Sequence, residues 1–316
     1  MKKIYIVFFL SIVLLSCVEK RDSKKIKIAT LKGPSAIGMV KMIDSLNQLE
    51  NSTTEIKIYN EPIQVRKLML ENEVDFAVLP TTMGSILYNK GLPYKLAAIP
   101  VWGTLYLFGN DTTVKTWNDL KGKRINVMAK GMTPDVLFKY LLVQNRIDPG
   151  QDVILDYSFP THIDLANAVA ANQADLAVIS EPLVSLVMQK NKQIHPIMDL
   201  NTEWQKVNET PIAQTAFLVH QDLTLQNKIE LEKILRSYKN SSSWVIQNQE
   251  KAAELIVKYN ILPNTQVALS TIPRCNLDFK EASEIKKEIT EYLKTFYELN
   301  PAIVGNKIPD DNFFLN

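Results

Sequence analysis

Apolar and polar positions follow two rhythms along this chain, and the rhythms take turns. Lys25 to Thr30 is a short apolar-rich run, and Gly33-Pro34-Ser35 turns the chain after it, so the run reads as a strand. Ile37, Val40, Ile43 and Leu46 then recur at helical spacing on one face. Ile56 to Tyr59 predicts a second strand, and about Pro62 to Glu71 a second helix. Val74-Asp75-Phe76-Ala77-Val78-Leu79 has the nearly continuous apolar character of a parallel strand covered on both faces. Pro80-Thr81-Thr82 closes it, before a short helix toward Asn89. Leu96 to Gly109 is a long β-like stretch in which Pro100 and Gly103 predict a break or a bend. Ile212 to Val219 is strand-like again. Amphipathic helices are predicted at about 225–247, 249–258 and 280–298, followed by an irregular Pro/Asp/Asn-rich tail over 301–316.

The first part of this pattern occurs twice, at an offset of about 100 residues, the period of a whole lobe. Ile28-Ala29-Thr30-Leu31-Lys32-Gly33-Pro34-Ser35 is answered by Asn126-Val127-Met128-Ala129-Lys130-Gly131-Met132-Thr133. Ile58-Tyr59-Asn60-Glu61-Pro62 is answered by Asp156-Tyr157-Ser158-Phe159-Pro160, and Asn72, Asp75, Ala77 and Val78 by Asn172, Asp175, Ala177 and Val178. The expected architecture is α/β, two Rossmann-like lobes facing each other across a cleft, with 26–110 plus 213–316 as the first lobe and 111–212 as the second. Hinges are expected near 109–112 and 210–216. Right-handed βαβ units place ligands at the carboxyl ends of their strands.

The N-terminus changes the picture of where the protein resides. Lys2 and Lys3 precede an apolar run from Ile4 to Leu15, broken only by Ser11 and shorter than the roughly 20 residues needed to span a bilayer. Leu14-Leu15-Ser16-Cys17 looks like a bacterial lipobox. The expectation is a leader over 1–16, a lipid on Cys17, and a polar tether over 17–25; an uncleaved signal anchor is the alternative. Lys2 and Lys3 account for the formal charge of +2, so the mature chain is neutral and lacks the basic stripe of a nucleic-acid binder. With Cys17 lipidated, Cys275 has no disulfide partner, so the fold depends on its buried core.

Candidate chemistry gathers at the predicted strand ends. Thr133-Pro134-Asp135 reads as a helix start with Thr133 as N-cap, and the equivalent turn in the first copy is Gly33-Pro34-Ser35. Free N–H groups at such helix starts favour an anion, with Lys32 and Lys130 able to add charge or to remain exposed. Thr81, Thr82, Ser180 and Glu181 follow buried strands. Glu181 either accepts from a ligand N–H or caps its own helix. Trp102, Tyr106, Tyr157 and Phe159 are candidates for stacking; core filling suits Tyr106 and Phe159, and the cleft suits Trp102. Arg274 pairs either with a ligand anion or with another part of the protein. Catalytic patterns are missing: His162, His195 and His220 have no metal-ligand spacing, and neither a Gly-x-Ser-x-Gly elbow nor a phosphate loop occurs.

The lipobox, the doubled lobes, Asp-Leu-Lys-Gly-Lys-Arg over 119–124, Thr133-Pro134, and Ala-Asp-Leu-Ala-Val-Ile-Ser-Glu-Pro ending at Pro182 resemble the solute-binding lipoproteins of ABC importers. Within these the chain is similar to the nitrate/sulfonate/taurine type, which includes binders of thiamine-precursor pyrimidines. The resemblance covers 26–316 and implies a type II periplasmic-binding fold with two crossings between lobes. It implies delivery of a captured solute to an ABC permease with its ATPase. For the solute, a small anion suits the paired helix starts and a heteroaromatic suits Trp102, Tyr157 and Glu181. The lipobox gives an extracytoplasmic, lipid-anchored location, and with the lack of an acid/base pair it argues against an enzyme; no cofactor is expected. Relatives bind through loops equivalent to 32–36, 80–82, 130–133 and 180–181, which suggests Lys32, Gly33, Ser35, Thr81, Thr82, Lys130, Gly131, Thr133, Ser180 and Glu181 as ligand-binding residues; the reading of the aromatics adds Trp102 and Tyr157. A monomer is expected. The alternatives are an enzyme on the same fold, of menaquinone-pathway or pyrimidine-synthesis type, and a sensory surface lipoprotein.

Overall fold

The computed structural model describes residues 25–315 except Ala129, Pro160 and Glu209. The expected leader, Cys17 and all of the expected tether but Lys25 lie outside the described residues. Among those described, no helix is long and apolar enough to cross a membrane.

The first lobe begins as the apolar rhythm dictates. Strand β1 (Ile26–Leu31) buries Ile26 and Ile28 and exposes Lys27 between them. Helix α1 (Pro34–Asn47) is buried on nearly every side, because further helices close over the face turned away from the sheet. Strand β2 (Thr54–Tyr59), helix α2 (Pro62–Leu70), strand β3 (Phe76–Pro80), helix α3 (Thr81–Asn89) and strand β4 (Tyr94–Trp102) complete the outward path. Pro100 does not end β4. The strand carries it at a bulge, where Ala98 and Val101 span one residue more than their partners Phe217 and Thr215.

The second lobe holds β5 (Leu105–Gly109), β6 (Arg124–Val127), α4 (Thr133–Gln144), β7 (Ile154–Asp156), α5 (His162–Ala170), β8 (Leu176–Ser180), α6 (Leu183–Lys190), β9 (His195–Asp199) and α7 (Leu200–Asn208). The chain returns through β10 (Ala213–His220) and α8 (Gln221–Gln226), α9 (Lys228–Gln247), α10 (Gln249–Lys258), α11 (Thr265–Thr271), β11 (Leu277–Glu281) and α12 (Lys286–Leu299). Two sheets result, ordered β11-β4-β10-β3-β1-β2 and β7-β6-β8-β5-β9. Both are mixed: β1, β2 and β3 run parallel, as do β6, β7 and β8, and the remaining strands pair antiparallel.

Several sequence expectations are corrected here. Leu105–Gly109, expected in the first lobe, pairs with β8 and β9 in the second sheet, so the chain crosses at Gly103-Thr104 and not near 109–112. Gly103 donates its N–H to Ile212 O at 2.8 Å, which places the return crossing directly beside the outward one. The segment from 280, expected to open a helix, ends strand β11, and α12 starts six residues later. Helix α11 was not foreseen, and the tail folds into two 3-10 turns that bury Phe313.

The repeat is structural as well as textual. Asn72 and Asn172 both adopt left-handed backbone, with φ of 53° and 55°, just past α2 and α5. In each case the next residue donates back into the helix, Glu73 to Leu68 O and Gln173 to Ala168 O. This is a Schellman ending, and Asn tolerates its left-handed position better than most residues with a side chain. Between the lobes, Trp204 on α7 stacks on Phe296 of α12 at 5.8 Å and meets Tyr292 edge-on, joining the two cores.

Candidate functional site

Strand directions bring the candidate residues to one line. The carboxyl ends of β1, β3 and β4 and the amino ends of β10 and β11 share one edge of the first sheet. The carboxyl ends of β6, β7, β8 and β9 and the amino end of β5 share the facing edge of the second. Helices α1, α3, α4 and α6 each start from this cleft edge, so their first N–H groups and positive dipole ends face it, although in α6 the Ser185 N–H is taken by the Glu181 carboxylate. In α1 the first bond closing the helix runs from Ile37 N–H to Gly33 O, and in α4 from Val136 N–H to Met132 O, so the donors of Ser35, Ala36, Thr133 and Asp135 precede the ladder.

Hydroxyl groups line this edge. Thr82 and Thr133, one from each lobe, are hydrogen-bonded at 2.8 Å between their Oγ1 atoms. Ser35 Oγ lies 3.5 Å from Thr215 Oγ1 on β10, and both residues are buried. Thr81 and Thr104 are buried at the same edge, and Thr81 Oγ1 has no partner among the described residues. Lys32 is exposed and Ser180 half-buried. Gly33 adopts φ of 118°, and a Cβ there would stand 3.1 Å from Pro182 Cδ of the facing lobe, so the first-lobe turn and the start of α6 are in contact.

Thr133 is the first residue of α4, and Met132 is its N-cap, making no side-chain cap bond. The sequence reading had Thr133 as the cap. Asp135 fastens the loop instead. Its buried carboxylate accepts from Gly131 N–H at 2.7 Å, Lys139 Nζ at 2.9 Å and Tyr157 OH at 2.7 Å. The Gly131 donor is therefore engaged within the protein. Tyr157 has the ammoniums of Lys130 and Lys139 at 5.2 and 5.5 Å from its ring centroid. Burial and the Asp135 bond hold its phenol above the ordinary tyrosine range.

Trp102 is in the core, 5% exposed, and donates its indole N–H to Asp278 O at 2.7 Å. Its expected place as a stacking surface in the cleft is thereby corrected: its polar handle is used and its ring is packed. Glu181 is buried and meets Arg274 Nε at 2.6 Å, with Ser185 Oγ at 2.9 Å and Ser185 N–H at 3.2 Å also donating to it. Both readings of Arg274 had been open, and it is the protein partner that it meets. Burial pushes the Glu181 carboxyl up, and the guanidinium opposes that shift.

Asp135, Thr104, Thr215 and Ser185 are edge residues the sequence reading did not single out. Asp135 was in view as a first-turn acid, and its spacing from Lys139 was the available signal. The others depend on pairings between distant segments. Among the described residues, no group of three His, Cys, Asp or Glu side chains comes together to hold a metal ion.

Comparison with known proteins agrees with this geometry. Residues 38–261 match the family described as ABC transporter, phosphonate, periplasmic substrate-binding protein. The putative binding protein YtlA of Bacillus subtilis is 26% identical over 149 residues, which is 47% of this chain and 42% of that one, so the match spans less than half of that relative. A crystal structure described as an ABC transporter from Parabacteroides distasonis superposes with a TM-score of 0.80 at 26% identity, covering 93% of this chain and 99% of the other. The periplasmic aliphatic sulphonate binding protein SsuA of Escherichia coli superposes with a TM-score of 0.72 at 17% identity, over 93% and 94% of the two chains. The shared architecture is the two-lobed periplasmic-binding fold.

Proposed function

This chain belongs to the ABC-transporter phosphonate periplasmic substrate-binding family, and on that premise we propose that it is lipid-anchored through Cys17 and captures a small anion between its lobes for delivery to a permease. The carrying observation is the convergence of helix starts α1 and α3 from one lobe with α4 and α6 from the other on a hydroxyl-lined edge. Such an edge offers many donors to an anion in a place where water is displaced. Lys32, Gly33, Ser35, Thr81, Thr82, Thr133 and Ser180 are the proposed contacts, with Lys130 contributing charge from beside Tyr157. Trp102, Tyr157 and Glu181 support the site without offering a free stacking face or acceptor, so an anion fits better than a heteroaromatic.

Among anions, the cleft favours a sulfonate. A sulfonate is fully ionised at neutral pH and its oxygens only accept, whereas a phosphonate retains a proton on part of its population and then needs an acceptor. The carboxylates at the edge, Glu181 and Asp135, each already accept three hydrogen bonds, so only hydroxyls such as Thr81 Oγ1, weaker acceptors than a carboxylate, are left for that proton. The role is binding without turnover, by a monomer.

A melting-temperature titration of the mature chain with alkanesulfonates, alkylphosphonates and pyrimidines tests this. Binding to the native state alone adds about 2.7 kcal/mol at one hundred times Kd. The expected result is a dose-dependent rise with sulfonates. A rise with pyrimidines alone would reject the anion, and catalytic consumption of a bound compound would reject the binding role. Mass spectrometry of the membrane-extracted protein, beside a Cys17→Ala variant, tests the anchor.

A further inference from the structure

Helix α6 turns one stripe of its surface toward the opposite lobe. Glu181, Pro182, Ser185, Leu186 and Gln189 recur at the spacing of a single helix face. Pro182 abuts Gly33. Leu186 packs on the first-lobe cluster formed by α1, α10 and α11. Gln189 exchanges two hydrogen bonds with Asn264, the N-cap of α11, at 3.1 and 3.2 Å. Arg274, just past α11, grips α6 and its entry at three points: Nε reaches Glu181 Oε1 at 2.6 Å, and Nη2 reaches Ser185 Oγ at 3.1 Å and Met188 Sδ at 3.7 Å. The same Nη2 is anchored on its own lobe by Ser270 Oγ at 2.7 Å.

We infer that the contact between α6 and α11 is a clasp that holds the cleft closed without solute, and that Arg274 is the positioning residue that sets the balance of open and closed forms. This rests on the reading that the lobes part and close around a solute. None of the bonds just described requires a ligand. Parting the lobes breaks all three Arg274 contacts with the second lobe at once while the Ser270 anchor stays, so the guanidinium remains poised to re-engage. The Glu181 side chain is fully buried, and Arg274 is its only cationic partner among the described residues. Taking away the guanidinium leaves a buried, unpaired carboxylate in the closed form, and opening relieves it by hydration. Arg274 thus governs capture through Glu181: apparent affinity scales with the fraction of molecules that are closed, so a tenfold fall in that fraction raises Kd about tenfold.

Spin labels at Ile63→Cys and Ile163→Cys report the lobe separation. Both residues are exposed, they open α2 and α5 on the cleft side of their lobes, and the native Cys275 is buried away from the reagent. In the full mature chain without any solute, a short interlobe distance is expected to dominate. Arg274→Gln and Arg274→Lys are expected to move population to a longer distance, Lys because it lacks the planar fork. Pairing Arg274→Gln with Glu181→Gln is expected to restore much of the short distance, since no buried charge is then left alone. Should Arg274→Gln fail to fold, as judged by its melting curve, Gln189→Ala with Asn264→Ala removes a neutral part of the clasp and is expected to shift the distances the same way. Folded variants with an unchanged distance distribution would overturn the clasp. Because these measurements use no solute, failure to find a sulfonate ligand would leave their outcome separate.

Discussion

The hydroxyls of Thr82 and Thr133 lie 2.8 Å apart, one from each lobe. They join the first turn of α3 to the first turn of α4 across the cleft. Thr133→Val keeps the shape of the residue and removes this bond, leaving the buried Thr82 hydroxyl without its partner. One hydrogen bond of this kind contributes about 1 kcal/mol, so the affinity for the captured solute is expected to fall roughly fivefold. Calorimetric titration reads it, and equal affinity would remove Thr133 from the site.

Asp135 organises the second-lobe loop. Asp135→Asn withdraws the negative charge from Lys139, Tyr157 OH and Gly131 N–H together, and a stability loss of about 1–3 kcal/mol is expected. The Asp135 bond helps to hold the Tyr157 phenol high, so the same variant should titrate Tyr157 at lower pH. Carbon-13 NMR of labelled tyrosine follows that shift directly.

Gly109 admits no side chain. A Cβ there would stand 1.9 Å from Asp175 O, at the pairing of β5 with β8. Gly109→Ala must push the two strands apart and is expected to destabilise the fold by about 2 kcal/mol or more, measured by urea unfolding. An unchanged midpoint would contradict the strand pairing.

Burial holds His162 neutral, pushing its imidazole down to about 4, against about 6.5 in the unfolded chain. Between these two values the unfolded state binds the extra proton. Stability from this group is therefore complete above pH 6.5 and is lost as pH falls toward 4. His162→Gln should flatten the urea midpoint across that window, and a parallel decline in both proteins would assign the acid sensitivity elsewhere.

Much of this arrangement was legible in the residues because the repeat doubled each signal. Asn72 and Asn172, a century of positions apart, mark the same left-handed ending, and the strands after them, β3 and β8, are continuously apolar as burial on both faces requires. What escaped the reading lay in pairings. Nothing local distinguishes β5 as a member of one sheet or the other; Gly103 announces a bend without a direction. The edge strand β11 exposes Asp278 and half-exposes Lys280 and Glu281, a polar face that blends into the helical pattern beyond it. Glu181 and Arg274 are 93 positions apart, so their charges were visible in the sequence but not their partnership. At Thr133 the failure was one of convention: a threonine before proline resembles a cap, yet here it begins the helix itself.

The hydrogen bond from Gly103 to Ile212 brings the outward and return crossings side by side, and the side-chain amide of Asn276 also donates to Gly103 O. Everything between those two points is thus an excursion whose beginning and end touch. Evolution can treat such an excursion as a cassette, lengthening, replacing or recombining it without moving the chain ends of the host. The cleft surface contributed by the second lobe can then diverge while the first lobe, which holds both ends of the described chain, continues to present the same foundation.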